Sequence, residues 1–194
     1  KDTSRGLGDV YKRQLINNED CIGRALGVQW SLELDEFQFK ICVKESPLTK
    51  RGILSVVSSI YDPFGIAGPF ILQGKKVLQQ ISALKDGWDA PVPQELAHQW
   101  IKWRENIPLL QNITLARCYK PKEFGTITDQ SLHMFSDASE VGYSVASYLR
   151  QKDEHGNICV SLVMGKSRVS PLKLVTIPRL CLLYTSDAAD EEAS

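Results

Sequence analysis

The chain has 194 residues, enough for one domain or parts of two, and its 43% hydrophobic content suffices for a packed core. No apolar run approaches the roughly eighteen residues a bilayer-spanning helix needs, and 23 Lys and Arg balance 23 Asp and Glu, which excludes a strongly basic nucleic-acid binder recognisable by charge alone. The five cysteines show neither CxxC nor Cys/His metal-ligand spacing, and Cys21, Cys42, Cys118 and Cys159 read as reduced core residues of an intracellular protein.

In chain order, Leu26 to Leu34 and Phe37 to Val43 alternate apolar and polar side chains around Asp35-Glu36, the pattern of a β-hairpin. Trp30 alternates with Val28 and Leu32 and is expected on the hairpin's apolar face. A short helix follows Pro47, with Ile53, Leu54, Val57, Ile60 and Tyr61 at helical spacing, stopped by Asp62-Pro63-Phe64-Gly65. From Pro69 a second helix is expected, with Phe70, Val77, Leu78, Ile81 and Leu84 inward and Gly87 at its end. Pro91 and Pro93 introduce a third, in which Leu96, Trp100, Trp103 and Ile107 share one face and Pro108 closes it. That spacing makes Trp100 and Trp103 core residues rather than a base-stacking platform.

A loop-rich connector from Gln111 to Asp129, with the short apolar stretch Ile113 to Leu115, leads into three runs. These are the run ending in Met134-Phe135-Ser136-Asp137-Ala138-Ser139, then Gly142 to Arg150, then Ile158 to Gly165 beyond the polar turn Asp153 to Asn157. They read as three antiparallel strands. Asp137 sits where a strand lifts a carboxylate to the lip of a sheet. Such a position suits a metal ligand, and equally a carboxylate that bonds neighbouring backbone amides.

Two basic pairs stand out. Lys50 and Arg51 open a helix, where cations oppose the macrodipole, an arrangement that an external phosphate would relieve. Lys75 and Lys76 form the second pair, and the four together are the expected nucleic-acid contacts. Peptidase signatures are missing: the chain has no Asp-Thr-Gly or Asp-Ser-Gly turn and no Gly-x-Ser-x-Gly elbow.

Several pieces in this order carry a resemblance: Leu26-Gly27-Val28-Gln29-Trp30, Pro47 to Ser55, Asp62-Pro63-Phe64-Gly65, Phe135 to Ser139, Val163-Met164-Gly165-Lys166 and Ile177-Pro178-Arg179-Leu180. The chain resembles part of the Pol polyprotein of a BEL/Pao-type LTR retrotransposon, in the region called the Pao retrotransposon peptidase family. The resemblance implies an α+β fold in three parts. These are a reverse-transcriptase palm-end β-hairpin over 15–45, a three-helix thumb or connection over 46–110, and a truncated three-stranded antiparallel RNase H-like sheet over 131–180 after a linker at 111–130.

It also implies Asp137 as first ligand of an Mg2+ or Mn2+ site that is incomplete here, since relatives carry a glutamate where Cys181 stands and supply two further aspartates beyond it. The implied partners are an RNA/DNA hybrid or template-primer duplex and the rest of the Pol polyprotein, with no membrane. The alternatives are an inactive domesticated interaction module, or the aspartic peptidase of the family's name.

The two ends resemble something else. A single stretch of bases can encode Asp9 to Gln14 while its reverse complement, read one base out of frame, gives Cys181 to Thr185 and most of Ser186. Both ends resemble translations of a transposase adapter used in sequencing libraries, so 1–14 and 181–194 are expected to be foreign to the fold.

Overall fold

The computed structural model describes residues 28–31, 33–41, 45–173 and 175–180. Its architecture is α+β: helices and two three-stranded antiparallel sheets, ordered β1-β2-β3 and β4-β5-β6. The expected adapter segments lie outside the described residues, as do Cys21, Leu26, Gly27, Leu32, Cys42 and Val43.

The hairpin forms as expected, with β1 at Val28–Ser31 pairing antiparallel to β2 at Glu36–Phe39. Asp35 turns the corner at φ 56° and holds it together. Its carboxylate accepts from Arg117 Nε at 2.6 Å and Nη2 at 2.9 Å, and from the Trp30 indole at 2.9 Å. Arg117 also stacks over the Trp30 ring, 5.0 Å from its centroid, so Trp30 is half-covered by a cation rather than sunk in the core.

That pin corrects the expected connector. Thr114–Ala116 is a strand, β3, which returns to pair with β2 at Leu115 and Phe37, so the stretch read as a loop completes the first sheet. Three residues give too short an alternation to stand out; the pairing comes from a partner about eighty residues away.

Helix α1 spans Lys50–Ser59. Thr49 caps it by accepting the Gly52 N–H at 3.2 Å, and Ile53, Val56 and Val57 are buried. Leu54 and Tyr61, expected inward, face solvent, while Val56 takes the inward place because the buried face follows the i, i+3, i+4 rows from Ile53.

Helix α2 spans Gly68–Ala83, with Pro69 in its first turn and Ile71, Val77 and Ile81 buried. It ends before Gly87: Lys85 takes the left-handed conformation at φ 59°, and Leu84, expected inward, is exposed. Helix α3 spans Gln94–Glu105 and runs into a 3-10 helix at Ile107–Asn112. As expected, Trp100, Trp103 and Ile107 are buried. Gly74 leaves room for the Trp103 ring on α2, and the indole N–H donates to the Phe70 carbonyl at 2.8 Å.

The second sheet consists of β4 at Ile127–Ala138, β5 at Gly142–Asp153 and β6 at Ile158–Val169, in the expected order and each longer than its apolar run suggests. The helices pack directly on it. Gly165 N–H donates to the Phe64 carbonyl at 2.7 Å, Ser167 Oγ to the Gly68 carbonyl at 3.1 Å, and Gln79 Nε2 to the Ser170 carbonyl at 2.8 Å.

Of the cysteines within the described residues, Cys118 is exposed and Cys159 half-buried. Neither is the core residue that scattered spacing suggested: Cys118 follows β3 over the surface, and Cys159 is the second residue of β6, at the far end of the second sheet.

Candidate nucleic-acid interface

Asp137 is the penultimate residue of β4 and is exposed. It faces Ser144 on β5, which faces Ser167 on β6, and residues opposite one another in a ladder share a face. At the usual strand spacing of about 4.8 Å, Ser167 stands roughly 10 Å from Asp137 across the sheet. Asp137 Oδ1 accepts the Ala138 N–H at 2.8 Å, a local bond that steadies the carboxylate without covering it.

The turn after Asp137 is tied down. Ser139 N–H donates to the Gly142 carbonyl at 2.8 Å, while Ser170 donates through its N–H to the Val141 carbonyl at 3.1 Å and through Oγ to the Ser139 carbonyl at 2.9 Å. Helix α2 closes against the same corner, where a Cβ on Gly142 would meet the Leu72 side chain at 2.8 Å.

Among the described residues no three His, Cys, Asp or Glu side chains gather to hold a metal ion. One exposed carboxylate does not by itself fit a catalytic divalent cation, which takes several oxygen ligands.

The four candidate cations do not form one cluster. Lys50 Nζ donates to the Asp86 carbonyl at 3.2 Å, and Arg51 makes a two-pronged pair with Asp89 at 2.9 and 3.1 Å. Both also lie over the Trp88 ring. The loop between α2 and α3 thus supplies a counter-charge to Arg51, and to Lys50 a carbonyl and a ring face.

Lys75 and Lys76 point apart, as neighbours on a helix must. Lys75 borders a cavity of about 270 Å3 that it shares with Asp62, Lys166 and Ser167. Burial pushes the Asp62 carboxyl above its usual range, against the N–H groups of Ala67, Ile66 and Gly65 and the Lys75 charge. Both Asp62 oxygens are engaged just ahead of α2, by Ile66 N–H at 3.0 Å and Ala67 N–H at 2.8 Å, so this carboxylate ties down the turn that leads into the helix.

Lys76 lines a groove of about 850 Å3 between α2, α3 and the 3-10 helix. Lys102 stands in the same groove. Sequence reasoning missed it because α3 was read by its apolar stripe, and nothing in the spacing says which polar residue of α3 faces Lys76.

The profile of one protein family, the Pao retrotransposon-like RNaseH-like domain, matches residues 49–190, well over half of the chain. The chain belongs to that family. No curated protein matches it. The Pao RNaseH-like span takes in α1, α2 and α3 as well as the sheet that carries Asp137. Two of the motifs behind the family resemblance, Asp62-Pro63-Phe64-Gly65 and Met164-Gly165-Lys166, are about a hundred residues apart and touch through the Phe64 and Gly165 backbones. Among the described residues no helix is long and apolar enough to cross a membrane.

Proposed function

We propose that this Pao RNaseH-like domain handles an RNA/DNA hybrid or template-primer duplex as part of a retroelement Pol polyprotein, between the polymerase and ribonuclease H activities. On this reading Asp137 supplies one carboxylate to an Mg2+ or Mn2+ site whose remaining ligands are not among the described residues. The observation that carries it is the exposed carboxylate at the end of β4, at the lip of a sheet whose family is RNaseH-like. Lys75 and Lys76 are the cations assigned to the phosphate backbone; Lys50 and Arg51 are left to Asp86, Trp88 and Asp89.

The test is binding of a labelled RNA–DNA hybrid across a salt series. Affinity falling steeply with salt supports the reading, because phosphate contacts release counterions. No binding at low salt, or binding indifferent to salt, overturns it.

A protein-interaction module is the second reading. It is favoured by the outer edge of β4, unpaired among the described residues, beside exposed Leu132, Met134 and Phe135. A protein partner retained at high salt, with no affinity for hybrid, would select it.

A further inference from the structure

The groove between α2, α3 and the 3-10 helix has a floor of Phe70, Trp103 and Leu110 and opens at Val141. Val141 is four residues past Asp137, in the turn that Ser139 and Ser170 lock in place. The groove mouth and the exposed carboxylate thus belong to the same corner of the second sheet.

Its charge is one-sided. Lys76 and Lys102 line it, and its other side chains are apolar or amide, with no carboxylate among them. Among the described residues neither lysine pairs with an acid. Lys102 gains something from its place in the last turn of α3, where a cation complements the macrodipole, but Lys76 in the body of α2 has no such reason to be there. Two cations over an apolar floor suit an anionic strand whose phosphates stay at the rim, and suit an apolar or basic peptide less well.

We propose that this groove is the path of the nucleic-acid strand that passes Asp137, with Lys76 and Lys102 holding its phosphates. The inference rests on the hybrid-binding reading and adds to it a route and a residue, Lys102.

The experiment measures anisotropy of a fluorescein-labelled RNA–DNA hybrid, and of each strand alone, against salt for the 194-residue chain and two double variants. Lys76→Ala/Lys102→Ala removes the groove charge. Lys120→Ala/Lys152→Ala is the charge-matched control: Lys152 lies ten residues along β5 from Gly142, roughly 33 Å away at 3.3 Å per residue. The Tyr119 carbonyl accepts from Ser161 near that same far end, which puts Lys120 there too.

The groove variant is expected to bind at least about tenfold more weakly at low salt, with a salt slope shallower by about 1.4 to 1.8, since each phosphate contact contributes about 0.7 to 0.9. Lys76→Arg/Lys102→Arg should restore both, and the control should change little.

A groove variant with unaltered affinity and slope, in a chain that does bind hybrid, overturns the route and leaves the broader reading standing. Equal losses in groove and control variants also overturn it, since net charge alone would then explain the binding. Failure of the unaltered chain to bind any nucleic acid removes the broader reading and the route together. An apolar dye that fills the groove and is not displaced by bound hybrid would mark it as a protein-docking surface instead. Unchanged circular dichroism and melting temperature for each variant tie the losses to charge rather than folding.

Discussion

Gly65 and Gly165 meet backbone to backbone at the seam between the helices and the second sheet. Gly65 has φ 70°, and a Cβ there would fall inside the van der Waals surface of the Gly165 carbonyl oxygen, next to the bond from Gly165 N–H to the Phe64 carbonyl. The contact fixes how the helices sit on β6, and therefore where the groove lies relative to Asp137.

Gly65→Ala should accordingly cost more than the left-handed backbone alone explains. Gly156 is the control, with φ 86° and nothing within 4 Å of its would-be Cβ. Its alanine variant is expected to lose about 1–2 kcal/mol from the strained backbone. Gly65→Ala should lose about 3 kcal/mol or more, because Gly165 must also move. Urea denaturation of the two variants makes the comparison; equal losses would mean that the seam does not hold the units together.

The Trp103 ring against Gly74 sets a second test. Trp103→Phe removes the indole's bond to the Phe70 carbonyl, which keeps only its place in the α2 ladder, and opens a small cavity, for an expected loss of about 1–3 kcal/mol. Gly74→Ala drives a methyl group into the indole's six-membered ring, expected to cost about 1–3 kcal/mol before any gain in helix propensity. Because Phe lacks that part of the ring, Gly74→Ala should cost measurably less in the Trp103→Phe background. Strict additivity in a double-mutant cycle would show that the two residues do not press on each other.

Asp153 organises the β5–β6 turn and should make it acid-sensitive. Burial pushes its carboxyl up, but side-chain and backbone N–H donors on Asn157, with those of Gly125 and His155, outweigh burial and hold it below the usual carboxylate range. A depressed carboxyl adds stability above its unfolded-state value, and that stability disappears as pH falls through the folded-state value. Asp62, raised by burial, contributes with the opposite sign, so the clean quantity is the difference between the unaltered chain and Asp153→Asn. That difference should be largest near neutrality and shrink below about pH 4. A gap that stays constant or widens on acidification would count against this role.

Hybrid cleavage tests whether Asp137 belongs to a working metal site in this chain. With no cluster of metal-ligating side chains among the described residues, the 194-residue chain is expected to leave the RNA strand of a hybrid intact in Mg2+ or Mn2+. Metal-dependent turnover that vanishes in Asp137→Asn would show that the chain carries a working site after all.

What the sequence determined by itself were the features of local origin. Periodicity placed α1, α2 and α3, the hairpin and the three strands of the second sheet, because each is a run of side chains that repeats within a few residues. It also marked Trp100, Trp103 and Ile107 as core and Asp137 as a strand-end carboxylate, and its scattered motifs pointed to the family.

The tertiary structure alone decided the rest. It made Thr114–Ala116 a strand, turned Leu54, Tyr61 and Leu84 outward, and gave Lys50 and Arg51 internal partners at Asp86 and Asp89. It also separated Lys75 from Lys76 and brought Lys102 across to the latter. Each of these depends on which distant segment arrives at a given surface, and that is fixed by packing between elements rather than by the repeat within any one of them.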